Sequence, residues 1–85
     1  MYPPSPVSSG PARVAAELTR QLTRAGITGI YTATTAKFAV ISVTAGLTVW
    51  TDGRQLWCTC QGQRHTWPAG DLAAAAAGVA ALARP

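Results

Sequence analysis

The dipeptide Asp52-Gly53, set between two alternating apolar runs, constrains this chain more than any other feature. Such a dipeptide is a strong hairpin signal, because a type I′ turn needs positive φ at both central residues. It lies within Leu47 to Trp67, the stretch that holds all three tryptophans, both cysteines and the single histidine. A two-residue Asp52-Gly53 loop pairs Trp50 with Gln55, Val49 with Leu56 and Thr48 with Trp57. Side chains alternate along a strand. One face then carries Leu47, Val49, Leu56 and Cys58, and the other carries Thr48, Trp50 and Trp57. A second turn follows at Gln61-Gly62 or Gly62-Gln63. Both choices place His65 and Trp67 on the face of Leu56, Cys58 and Cys60.

Upstream, residues 37–44 are rich in β-branched side chains and read as a further strand joined through Ala45-Gly46. A two-residue turn puts Phe38 and Val40 with Leu47 and Val49, leaving Ile41 and Val43 beside the tryptophans. A three-residue turn does the reverse. Either way the sheet is apolar on both sides. Residues 27–35 are β-prone at Ile30 to Thr32 but broken by Gly29, and fit a short edge strand or an ordered loop.

Two helices flank the meander. Ser9 or Gly10 followed by Pro11 reads as a helix start, with Val14, Leu18, Leu22 and Ala25 as a core stripe and Gly26 as the stop. Arg13, Glu17, Arg20 and Arg24 take the opposite side, with Arg13 and Glu17 spaced as an i, i+4 pair. Asp71 is placed to cap a second helix over 72–83, whose alanines and Gly78 permit close approach to a neighbour. The expected fold is therefore α+β: a helix, an antiparallel β-meander of three to four strands, and a helix. Residues 10–85 form the single domain, and residues 1–9, with three prolines and three serines, form a flexible arm.

Composition narrows the functional classes. Only 12% of the 85 residues are charged, against about 25% in an ordinary domain, which suggests a surface partly covered by a partner or a second copy. The net charge of +4 permits contact with nucleic acid without demanding it. No apolar run is long enough to span a membrane, no signal-peptide pattern opens the chain, and two cysteines make no disulfide framework, so a cytoplasmic location is expected.

Chemistry is thin. Cys58, Cys60 and His65 share a face and would offer three zinc ligands, but structural zinc usually takes four and no second pair exists, so buried reduced thiols are expected. The three acids, Glu17, Asp52 and Asp71, have structural explanations as helix surface, turn and cap. No nucleotide loop is present, and no cofactor is expected. The expected function is a non-enzymatic interaction module. It self-associates or docks a protein through an aromatic sheet face of Trp50, Trp57, Thr48, Ile41 and Val43. The alternative is nucleic-acid binding through Arg13, Arg20 and Arg24 with the rim cations Lys37, Arg54 and Arg64.

The order helix, three strands, helix resembles the double-stranded-RNA-binding domain in topology. This chain has Asp71-Leu72-Ala73-Ala74 where that family opens its second helix with lysines, and it has no Gly-Pro-x-His segment in the first strand. Residues Leu47 to Asp71, with LTVW, DGR, LW and WPAGD, resemble small uncharacterised proteins of streptomycetes and related actinobacteria. That resemblance implies origin and a cytoplasmic location, and no activity.

Overall fold

The computed structural model describes residues 10–44 and 46–84; the proline- and serine-rich arm over 1–9 lies outside the described residues. Helix α1 (Pro11–Arg24) leads into a five-stranded antiparallel sheet in sequential order: β1 (Tyr31–Thr34), β2 (Ala39–Thr44), β3 (Leu47–Thr51), β4 (Gln55–Cys60) and β5 (Gln63–Pro68). Helix α2 (Leu72–Ala83) closes the order. The architecture is α+β with a β-meander, and the meander has five strands rather than three to four.

Each helix is delimited by its own chemistry. Pro11 opens α1, where its missing N–H leaves no donor unpaired. At the other end Gly26 takes φ +97°. The Ile27 N–H then donates to the Leu22 carbonyl and the Gly26 N–H to the Thr23 carbonyl, both at 3.0 Å, a Schellman stop. Ala25, expected on the core stripe, is instead the exposed C-cap, because the helix ends one residue earlier. Asp71 caps α2 by accepting from the Ala74 N–H at 3.2 Å.

The Asp52-Gly53 loop does not form the expected two-residue turn. Asp52 Oδ1 accepts from the backbone N–H groups of both Arg54 (2.8 Å) and Gln55 (3.0 Å). This side-chain-closed turn replaces the type I′ geometry, and Asp52 keeps a negative φ. The β3–β4 pairing therefore shifts by two residues: Trp50 faces Trp57, not Gln55, and Val49 faces Cys58. A shift of two preserves the faces. The β4–β5 loop is Gln61-Gly62, with φ +53° and +80°, and pairs Cys58 with His65 and Leu56 with Trp67.

The β2 register combines both expected turns. Thr44 pairs with Leu47, but Ser42 pairs with Thr48, so Val43 is an additional residue and a β-bulge separates the two registers. Beyond the bulge, Ala39, Ile41 and Val43 point to the face of Val49 and are buried. Ile41 and Val43 thus do not join the tryptophans; Phe38 and Val40 do.

Both helices pack on that one face. Val14, Leu18 and Leu22 of α1 and Ala75, Val79 and Ala80 of α2 share a single core with Ile41, Val49 and Leu56. α1 lies over β1–β3, α2 lies over β5, and the helices touch one another. Gly78 is the contact point for Trp67: a Cβ there would sit 2.5 Å from its Cζ2. The fully buried hydroxyl of Thr51 is satisfied inside this core, donating to the Gln55 carbonyl (2.9 Å) and accepting from the Gly53 N–H (3.1 Å).

Candidate functional site

With both helices on one side, the other side of the sheet has no cover among the described residues. Ala33, Val40, Trp50, Trp57 and Thr66 are successive partners in a row across all five strands of this open face. Antiparallel partners point to the same side of a sheet. The row's aromatic centre is widened by Phe38, whose ring lies 5.8 Å from that of Trp50 and is tilted by 48°. Phe38 is held there by Thr35, whose hydroxyl accepts from the Phe38 N–H (3.1 Å) and donates to the Phe38 carbonyl (3.0 Å). Trp50 is 39%, Phe38 38% and Tyr31 70% exposed. Beside the indoles a depression of about 380 Å³ is lined by Thr48, Thr59 and Arg64.

Of the expected aromatic-face residues, Trp50, Trp57 and Thr48 lie on this surface, whereas Ile41 and Val43 are core. Phe38 and Val40 take their place. Tyr31 and Ala33 join them through β1, a strand whose four residues are all exposed and so show no burial alternation. Arg64 is the one charged residue that the strand pairing places on this face.

Cys58, Cys60 and His65 lie on the opposite, helix-covered face, where Cys58 and His65 are direct partners. Burial, with a smaller contribution from neighbouring Cys60, pushes the Cys58 thiol up. His65 stacks with Trp67, centroids 6.2 Å apart. Among the described residues no group of three His, Cys, Asp or Glu side chains is placed to hold a metal ion.

The cations divide among separate surfaces. Arg13, Arg20 and Arg54 line one groove of about 630 Å³, together with Glu17, Val14, Ala16, Ala69 and Leu72. Arg24 lies further along α1 beside Arg20 and Gln21, Arg64 borders the indoles, and Lys37 sits in the exposed β1–β2 loop. Glu17 pairs with Arg20 through both carboxylate oxygens, not with Arg13, and also accepts from Gln21 Nε2 at 3.1 Å. These bonds, Arg20's above all, hold the Glu17 carboxyl below its ordinary range. The Arg54 and Gln55 N–H groups do the same for Asp52. No sequence signal joins Arg54 to Arg13, which are brought together only by the fold.

Comparison with protein-family models, with curated proteins and with solved structures gives no match. Function therefore rests on the geometry. No helix among the described residues is long and apolar enough to cross a membrane.

Proposed function

We propose that this chain is a small, non-enzymatic, cytoplasmic interaction module that docks a protein, first of all a second copy of itself, through the open Trp50/Trp57 face. One observation carries the reading. Two helices cover one side of the sheet and leave Phe38, Trp50 and Tyr31 exposed on the other. Five strands at about 4.8 Å spacing and about 17 Å length give a footprint of about 400 Å². Ser42, Thr48, Thr59, Thr66 and Arg64 share that footprint with the aromatic centre, and the largest apolar patch of a small protein is often a functional contact. With Arg64 the one charge that the strand pairing places there, two copies of this face would meet with little like-charge repulsion. Two such footprints amount to about 800 Å² in total, below the about 1,200 Å² at which standard specific interfaces begin, so association is weak and concentration-dependent.

The non-enzymatic character is supported by the acids. Glu17 is engaged by Arg20, Asp52 by its own turn and Asp71 by the start of α2. Light-scattering mass across a sizing column, with the 260/280 nm ratio read on the same peak, tests the proposal. The expected result is a mass that rises towards a dimer with loading at a protein-like ratio. A constant monomer mass at high loading removes self-association.

The second reading is nucleic-acid binding, favoured by the grouping of Arg13, Arg20 and Arg54. It requires a raised 260/280 ratio or an affinity that falls linearly with salt on logarithmic axes, because neutralised phosphates release counterions.

A further inference from the structure

The groove bounded by α1, the β3–β4 turn and the β5–α2 loop has a construction of its own, independent of the open sheet face. Three chain segments are tied together to make it. Gly53 approaches the start of α1 so closely that a Cβ would sit 3.2 Å from Pro11 N and 3.3 Å from the Gly10 carbonyl carbon. The Ala69 N–H donates to the Arg54 carbonyl at 2.8 Å, which anchors the β5–α2 loop to the same turn. The missing side chain at Gly53 therefore seats the turn that carries Arg54 against the first turn of α1, near Arg13.

Charge in the groove is unbalanced. Three guanidiniums and one carboxylate line it, with the Asp52 carboxylate bonded to the Arg54 N–H at the edge of the same turn. Glu17 is spent on Arg20, while Asp52 and Asp71 are turned to backbone amides, so no carboxylate is bonded to Arg13 or Arg54 among the described residues. Beneath the rim lie apolar walls from Val14 and Leu72. Low-dielectric walls around like charges concentrate their field, and the groove's volume falls within the usual range for small-molecule sites. Among the described residues no tryptophan, tyrosine or phenylalanine lines it, so these residues supply no stacking platform of the kind a single-strand binder uses.

We infer that this groove is a binding site for a phosphorylated small molecule with a compact apolar body. Arg13 and Arg54 take the phosphate and the Val14–Leu72 side takes the body. A phosphate monoester carries about −1.5 to −2 charge at neutral pH and can bond to both Arg13 and Arg54, neither of which is bonded to a carboxylate among the described residues. Planar guanidinium forks favour bidentate bonds to its oxygens.

The test is an amide-resolved NMR titration of the full chain with phenyl phosphate, inorganic phosphate and benzyl alcohol. Phenyl phosphate should shift the amides of Arg13, Val14, Arg54 and Leu72 and bind at least about tenfold more tightly than either fragment alone. Arg13→Ala with Arg54→Ala should weaken it by at least about tenfold with spectral dispersion retained, while Arg64→Ala leaves it unchanged. Equal responses at Lys37 and Arg64, or unaltered affinity in the double variant, overturn the site. So does a short DNA duplex that binds more tightly than phenyl phosphate and depends equally on Arg24 and Arg64, which would make the groove part of a nucleic-acid surface. A Trp50→Ala, Trp57→Ala protein should bind phenyl phosphate normally, so this inference and the docking proposal fail separately.

Discussion

The indole of Trp67 lies directly over Gly78, with its Cζ2 2.5 Å from where a Cβ would be. Gly78 stands mid-way along α2, where glycine costs a helix about 1 kcal/mol relative to alanine. Removing that cost at an open site would stabilise the protein. Here the added methyl must displace a ring, an overpacking penalty of about 1–3 kcal/mol. Gly78→Ala is therefore expected to lower stability in urea denaturation. Trp67→Leu should remove the penalty, so that Gly78→Ala becomes neutral or favourable in that background. A stabilised Gly78→Ala single variant would show that α2 is free to move off β5.

The paired indoles of the open face make an opposite prediction. Trp50→Ala with Trp57→Ala removes apolar area that the helices do not cover. The expected product is a folded monomer whose cooperative melt is retained and whose mass no longer rises with concentration. Unfolding of the double variant would place those indoles in the stabilising core and end the docking proposal.

Thr51 tests the β3–β4 loop. Thr51→Val keeps the shape of a fully buried side chain but leaves the Gln55 carbonyl and the Gly53 N–H without its hydroxyl. A loss of about 1–3 kcal/mol is expected, because removing one hydrogen-bond partner strands the other. Thr51→Ser, which retains the hydroxyl, should lose less, and equal stability of the Val variant and the parent would dismiss this role.

Acid should weaken the fold in a defined direction. Asp52 and Glu17 both titrate below their ordinary values in the folded chain, Asp52 through backbone amides and Glu17 through Arg20. A lowered folded value means that the contribution is complete above the unfolded values of about 3.9 and 4.3, and is lost as pH falls through the folded ones. Melting temperature should hold steady from neutral pH to about 5 and then decline. Asp52→Asn, whose side-chain oxygen still accepts from the turn, should make that decline shallower and leave the Glu17 share intact.

The thiols should differ in reactivity. Cys58 is buried with its thiol pushed up, whereas Cys60 is only half-buried near the β4–β5 loop. Alkylation of the folded chain at mildly alkaline pH, read by peptide mass, should mark Cys60 well before Cys58. Simultaneous labelling would mean that α2 opens on the timescale of the reaction.

Much of this architecture is legible in the residues themselves. Asp71 before an alanine run specifies both the cap and the extent of α2, and the face of His65 and Trp67 is independent of which two residues make the β4–β5 loop. The β3–β4 faces withstand a wrong loop length because the error is an even number of residues. β2 is different. Its odd and even positions are both apolar, so hydrophobic alternation carries no information about its register, and Ile41 and Val43 fall on the wrong side of a guess. β1 is obscured by Gly29 and by exposure of all four residues. Arg54 beside Arg13 is a property of the closed fold, set by the turn at Gly53 and absent from either local stretch.

The bulge at Val43 has a consequence for how this sheet tolerates change. Removing that residue would bring Ser42, paired with Thr48, and Thr44, paired with Leu47, into one regular ladder. The strand would keep its facing, with Ile41 opposite Val49 on the inner side and Val40 opposite Trp50 on the outer side, and Thr44 would take the inward place of Val43. A one-residue deletion there is absorbed where it occurs, at the cost of one buried valine. The bulge is thus slack in the strand, taking up a one-residue change of length while the residues that the open face presents stay the same.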